Sequence, residues 1–354
     1  MEIAYVHFYT RNAAETSNWF IRNLDFQAIA KSLDNYTQTE VIAGNSVFLL
    51  ISSPLNSRSP VFRYLQKHPS GVADIAFKVN SLKAVIDKAR DLGVKILRFP
   101  QIQKTERGNV KVAKIVGWDS LEHTLIETSG DEPISFLPIG KERQTEIACN
   151  SSSGIIDIDH IVLNVAAGQL KAATAWYQSL FGLQVRQSFK IKTDRSGLYS
   201  EALADASGKV QFNLNEPTSA SSQIQEFLDF NGGSGIQHLA LRCDNLIDAV
   251  NYMRSREVAF LAIPKAYYRQ IEQKSGDRLS LSAREWQAIE QTEILIDWQR
   301  EHPRSLLMQT FTKPIFERPT FFLEFIERRQ QATGFGEGNF QALFEAVERE
   351  QSNR

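Results

Sequence analysis

Cysteine is almost missing from this 354-residue chain, with only Cys149 and Cys243 present. Two cysteines make no disulfide framework, and a chain of this length can rely on its apolar core, so both read as reduced thiols. An excess of either charge is also missing, since 40 Lys and Arg face 41 Asp and Glu. That balance supplies no field to draw nucleic acid or an anionic membrane surface. No apolar run is long enough to span a bilayer. The opening Met1–Thr10 lacks a basic region followed by an apolar one, so a cytoplasmic location is expected. What remains is an ordinary globular composition, 42% hydrophobic and 23% charged, at a length that suits two domains.

The order of elements repeats along the chain. IAYVHFYT alternates as a strand, and the stretch from Asn12 to Gln27 carries Ala14, Trp19, Phe20 and Leu24 at helical spacing. Strands follow around Thr39–Ser52, and VADIAFKV starts the pattern again. Its helix runs from Ser81 and stops at Gly93, a residue suited to the left-handed end of a helix. Strands near VKVAKIVGW and HTLIETS close this half. After a polar, small-residue segment at Thr145–Gly154, the second half repeats the order, with a helix ended by Gly182 and later units opening at GIQHLALRC and closing at LLMQTFTK and PTFFLEFIER. This predicts an α+β protein of two domains, 1–145 and 155–354. A charged helical stretch is expected between Phe260 and Pro303, through Trp298, and a terminal helix over Asn339–Glu350 with one apolar stripe.

Three ionisable residues interrupt apolar strands in the second half: His160 in DIDHIVLNV, His238 in GIQHLALR and Glu324 in PTFFLEFIER. A carboxylate among Phe321, Phe322, Leu323, Phe325 and Ile326 costs several kcal/mol (order of magnitude) without a partner. Arg242 or Arg328 could pair with it, but a bound cation answers the problem most fully. Strand alternation puts Ile158, His160, Val162 and Asn164 on one face, Ile236, His238 and Ala240 on another, and Phe322, Glu324 and Ile326 on a third. If these faces line one cavity, two imidazoles and a carboxylate converge there. That is the facial donor set of non-haem iron(II) oxygenases, although zinc accepts the same donors. Singly, each histidine reads as an ordinary hydrogen-bonded core residue. Gln211, Asn213 and Asn215 give one strand a polar face, which by itself reads as solvent-facing. Gln309 and Phe311 share a face, which suits a phenol with a polar tail, while alternation turns Gln237 away from the face of His238.

The segments DHIVLNV, SGLYSEAL, LNEP, SQIQEFL, GIQHLAL, YYRQI, QTFTKP, RPTFFLEFIERR and GFGEGNFQALFEAVE resemble the family of 4-hydroxyphenylpyruvate dioxygenases and hydroxymandelate synthases. The resemblance is dense from Asp159 to the C-terminus and thin in the first half. It implies two vicinal-oxygen-chelate domains, each of paired βαβββ modules forming an open barrel, with a structural first domain and one iron(II) in the second. The ligands it implies are His160, His238 and Glu324. It further implies that Ser200, Asn215, Gln223, Gln237, Gln309, Phe311, Phe322, Phe335, Asn339 and Phe340 form the substrate pocket, with Gln309, Ser200 and Asn215 orienting the reacting ring.

The implied reaction takes 4-hydroxyphenylpyruvate and O2 to homogentisate and CO2, for tyrosine breakdown or quinone precursor supply. No nucleic acid or membrane takes part, and the chain is expected to form a homo-oligomer. At Asn213 the family usually has proline. Rival readings are 4-hydroxymandelate synthesis from the same substrate, a metal-free binding protein of the same fold, and ring cleavage of catechols. The alternating glycines of GFGEGNF do not fit a dinucleotide-binding loop and predict a hinge that lets Phe335 and Phe340 close over substrate. His7, Asp74 and Glu127 occupy matching places in the first half, where a second metal site is conceivable, although a structural role is the expectation there.

Overall fold

The structure is a computed structural model that describes residues 1–105, 108–129, 152–192, 197–275, 279, 281–299, 302–340 and 342. The expected linker up to 151, and the expected terminal helix beyond 340 apart from 342, lie outside the described residues.

Sixteen strands form two sheets. The first holds β1 (Glu2–Tyr9), β2 (Gln27–Leu33), β3 (Thr37–Gly44), β4 (Val47–Pro54), β5 (Gly71–Lys78), β6 (Ile96–Thr105), β7 (Gly108–Val116) and β8 (Glu122–Ser129). The second holds β9 (Ile155–Asn164), β10 (Gln184–Lys192), β11 (Gly197–Ala204), β12 (Gln211–Pro217), β13 (Gly235–Cys243), β14 (Leu295–Gln299), β15 (His302–Phe311) and β16 (Phe322–Arg328). Their orders are β2-β3-β4-β1-β5-β8-β7-β6 and β10-β11-β12-β9-β13-β16-β15-β14. Adding eight to each label of the first order gives the second, so the repeat extends to topology. Each sheet joins two βαβββ modules at its centre, where β1 lies beside β5 and β9 beside β13. This is the α+β vicinal-oxygen-chelate architecture.

The helices follow local chemistry. Asn12 caps α1 (Ala13–Leu24) by accepting from the Glu15 N–H at 3.2 Å. α4 (Leu170–Phe181) ends at Gly182, whose φ of 72° suits a residue without Cβ. Between them lie α2 (Pro60–Leu65) and α3 (Leu82–Asp91). The second half continues with α5 (Gln223–Asn231), α6 (Leu246–Arg254), α7 (Lys265–Ser275) and α8 (Ala283–Thr292). Glu127 accepts from the Leu82 N–H at 2.7 Å, and Glu327 accepts from the Leu246 N–H at 2.7 Å. Each carboxylate thus satisfies an orphan donor at the start of its module's helix. One apolar cluster, including Phe8, Phe20, Phe77, Tyr177, Phe212 and Phe325, runs through both halves. Among the described residues no helix is long and apolar enough to cross a membrane.

Several strands depart from the expected pattern, β2 and β10 having gone unread. Trp298 lies in β14 rather than in a charged helix, which stops at Thr292. β6 went unread because Pro100 and alternating polar residues mask it; proline is tolerated there because β6 is an edge strand.

Candidate metal centre

Three adjacent strands supply one donor each. β13 pairs antiparallel with β9 and parallel with β16, and Ala240 stands opposite both His160 and Glu324. A methyl group at that point leaves room between the two donors. His238 enters from the next rung on the same face. His160 Nε2 and His238 Nε2 each lie 3.3 Å from Glu324 Oε2. One ligand atom from each residue falls within 4.8 Å of the others, and all three residues are buried. Donors about 2.1 Å from one ion at right angles stand roughly 3 Å apart, so this face fits a divalent metal. Arg242 and Arg328 leave Glu324 alone; they pair with Asp157 and Asp159 respectively.

The electrostatics match a cation site. Burial opposes charge on Glu324, yet His160 and then His238 outweigh it and hold the carboxyl at about 2. Burial likewise opposes charge on His160, but Glu324 and Asp159 pull its imidazole up to about 9. Burial lowers His238. Without a metal, the triad balances the Glu324 charge with a proton on His160, which metal uptake displaces.

Both histidines are preceded by a bulge. The ladder runs from Ile236 to His238 opposite Leu163 and Val162, so Gln237 is the extra residue on β13. It runs from Ala240 to Leu241 opposite His160 and Ile158, so Asp159 is the extra residue on β9. A bulge re-aims side chains and breaks strict alternation. Asp159 Oδ1 therefore lies 2.9 Å from His160 Nδ1, and Gln237 Oε1 lies 3.3 Å from His238 Nδ1. A bond at Nδ1 orients each ring with Nε2 toward the metal position. Alternation had turned Gln237 away and grouped Ile236 with His238; the bulge instead sends Ile236 into the core with Leu239 and Leu241.

All ten residues expected in the substrate pocket line one cavity with the triad. Gln309 is its centre. Its Nε2 donates to Glu324 Oε1 at 2.8 Å and to the Phe335 carbonyl at 3.0 Å, and its Oε1 accepts from Asn339 Nδ2 at 3.0 Å. Tyr267, which sequence reasoning missed, donates to Asn339 Oδ1 at 2.8 Å. Phe322 stacks on His238 at 4.7 Å, Phe311 stands edge-on to Phe322 at 6.2 Å, and Phe335 edge-on to His160 at 5.4 Å. Ser200 faces Asn215 across the β11–β12 ladder, and Gln223 opens α5. Phe340 meets Phe189 at 5.2 Å. Val162, which shares the His160 face, and Asn213 complete the lining with Ile191, Leu198 and Ile224, the last three unanticipated. The polar face of β12 is thus not solvent: Asn213 and Asn215 look into the cavity, while Gln211 donates to the Asp159 carbonyl.

Free volume is about 60 Å³, far below the ~300 Å³ typical of small-ligand pockets. The cavity must widen to admit an aryl ligand. The glycines of the segment bearing Phe335, Asn339 and Phe340 do more than flex. A Cβ on Gly336, at φ 78°, would sit 1.8 Å from Gln309 Oε1, so only glycine allows this close approach.

Among its described residues the first half does not build a second centre. On its ladder, Ala76 stands opposite Tyr5 and Thr124, where Ala240 stands opposite His160 and Glu324, and Asp74 takes the place of His238. Glu127 belongs to the helix cap instead. Lys114 fills the middle, with Nζ 3.0 Å from Asp74 and 2.8 Å from Glu122. Among the described residues, the His160, His238 and Glu324 group is the one cluster able to hold a metal.

Fold and site together define a metal-binding enzyme of the vicinal-oxygen-chelate class. Residues 157–270 match the model of the Glyoxalase/Bleomycin resistance protein/Dioxygenase superfamily. The chain is 35% identical to 4-hydroxyphenylpyruvate dioxygenase of Dictyostelium discoideum, over 99% of this chain and 98% of that protein. It is 32% identical to the enzyme of that name from Xenopus tropicalis, over 99% and 91%. An uncharacterized protein of Synechocystis sp. is 38% identical over 98% and 97%. Among solved structures, a mutant of 4-hydroxymandelate synthase from Streptomyces coelicolor superposes with a TM-score of 0.84 at 26% identity, covering 99% of this chain and 98% of that one. The chain belongs to the 4-hydroxyphenylpyruvate dioxygenase family.

Proposed function

We propose that the chain binds one iron(II) through His160, His238 and Glu324 and converts 4-hydroxyphenylpyruvate and O2 to homogentisate and CO2. The observation that carries this reading is the convergence of the three donors with Gln309 and an aromatic wall in one cavity. Bound iron(II) would supply chelation of the 2-oxoacid and activation of dioxygen for oxidative decarboxylation.

The protein's own groups do the positioning. Glu324 and the two histidines occupy one face of the metal position and leave the cavity side for ligands. Gln309 holds Glu324 Oε1 in place and ties it to Asn339 and to the Phe335 carbonyl on the far side of the cavity. Phe311 and Phe322 offer ring faces to the substrate's aromatic ring. Ser200, Asn215 and Gln223 present polar groups for the phenol end. Phe335 and Phe340 close the cavity and exclude water, which protects reactive species from solvent. Gln237 keeps the His238 ring aimed.

The test is product analysis of iron(II)-loaded protein given 4-hydroxyphenylpyruvate and air. Homogentisate with matched oxygen uptake is expected. 4-Hydroxymandelate would move the chain to the sister reaction, which the Streptomyces similarity keeps in view. Iron bound without turnover would overturn the substrate assignment.

A further inference from the structure

We propose that Arg328 is a positioning residue that ties the orientation of His160 to closure of the segment Ala332–Phe335. Arg328 ends β16 on the same face as Glu324 and Ile326. Its Nε and Nη2 grip both oxygens of Asp159 at 2.7 Å each. Asp159 Oδ1 in turn lies 2.9 Å from His160 Nδ1. The third arm, Nη1, donates to the Ala332 carbonyl at 3.1 Å and to the Gly334 carbonyl at 2.8 Å. The two side chains are 12% and 4% exposed, so little water competes for these bonds.

A guanidinium is suited to this task because its donors form a rigid planar fork. One ion can fix a carboxylate on one edge and two carbonyls on the other, and neither set can move freely without the other. The Asp159 bulge turns the carboxylate to His160 Nδ1. The segment Ala332–Phe335 runs straight into the cavity wall: the Phe335 ring stands edge-on to His160 at 5.4 Å, and its carbonyl accepts from Gln309. His238 is backed differently, by the neutral amide of Gln237 at 3.3 Å. The two histidines are therefore not equivalent, and only the support of His160 reaches this segment through a charged pair. Opening the segment for substrate costs Arg328 two bonds and frees it to pull on Asp159. Linkage makes the effect reciprocal: whatever orients His160, including a bound metal, holds the segment closed. This inference rests on the metal-site part of the proposed function and not on the substrate.

The experiment uses the full chain, cobalt(II) alone as the probe, and no substrate. Cobalt affinity is read by titration, and amide hydrogen exchange of residues 332–336 is read with and without cobalt. In the unaltered protein, cobalt should slow exchange in that segment. Arg328→Met should weaken cobalt binding by about 10- to 100-fold and remove the cobalt-dependent slowing. Arg328→Lys, which keeps a cation beside Asp159 without the fork, should recover more of the affinity than of the slowing. Should Arg328→Met fail to fold, Asp159→Asn serves: cobalt affinity and the cobalt-dependent slowing both fall. Cobalt affinity unchanged in Arg328→Met, or slowing that survives either Arg328→Met or Asp159→Asn, would overturn the proposal. Because no substrate enters, a missing homogentisate product and a missing coupling are told apart.

Discussion

The two halves of this protein build one frame and fill its centre with opposite chemistry. In the second half His160 and Glu324 flank the small Ala240, His238 joins them, and Phe311 stands opposite Glu324. In the first half Tyr5 and Thr124 flank Ala76, Asp74 joins them, and Lys114 stands opposite Thr124. The Lys114 ammonium then sits against Asp74, which also accepts from the Thr124 N–H at 2.8 Å. Burial disfavours the Asp74 charge, but Lys114 outweighs it and holds the carboxyl below its usual range. A buried carboxylate needs a cation, and the two halves meet that need with different ones. One uses a side chain that never leaves; the other uses a donor set that an ion can enter.

The strongest challenge to this comparison is to transplant the lysine. Phe311→Lys puts an ammonium opposite Glu324, and metal content should drop to near zero from that of the unaltered chain, read by elemental analysis, with turnover lost. Full metal content in that variant would show that the internal cation is not what closes the first half. The converse change, Lys114→Met, leaves Asp74 and Glu122 without their shared cation. It should cost about 3–5 kcal/mol, read by denaturant unfolding.

A pH series sharpens the same contrast. Burial pushes His7 down to about 3 and His123 down to about 4 from an ordinary 6.5. Below pH 6.5 the unfolded chain takes up protons that these folded imidazoles refuse, so stability falls as pH drops from 6.5 toward 4. His7→Gln keeps a partner for Ser52, 2.7 Å away in the native protein, and should flatten that slope in thermal or denaturant unfolding. The smallest effect is on product rather than stability. Phe311→Leu opens space beside Phe322 and His238, and a side-chain-hydroxylated product should appear beside homogentisate in chromatography; an unchanged product profile would remove Phe311 from control of the attack site.

Much of this was legible before any coordinates. Period-two patterning exposed His160, His238 and Glu324 because each breaks an apolar strand, and the repeat of strand and helix signals anticipated two matching halves. What was misread lies in how distant strands pair. Asp159 and Gln237 sit in bulges, which leave no mark in a hydrophobic pattern, so alternation sent Gln237 the wrong way and passed over Asp159. Glu127 was matched to Glu324 by motif position, but strand register makes Thr124 the counterpart, and Glu127 answers to Glu327 at a helix start. At Gly336 the contact with Gln309, which the sequence does not reveal, excludes a side chain.

Sequence alone determined which donors this protein owns and which lie in strands, because residue type and alternation are properties of a few neighbouring positions. It also showed that a carboxylate among phenylalanines must be neutralised or find a partner. Only the tertiary structure decided which residues stand on the same rung, and that Arg328 bonds Asp159 and the carbonyls of Ala332 and Gly334. Those outcomes depend on register and bulges between strands far apart in the chain, and pairing energies between distant segments leave no local trace.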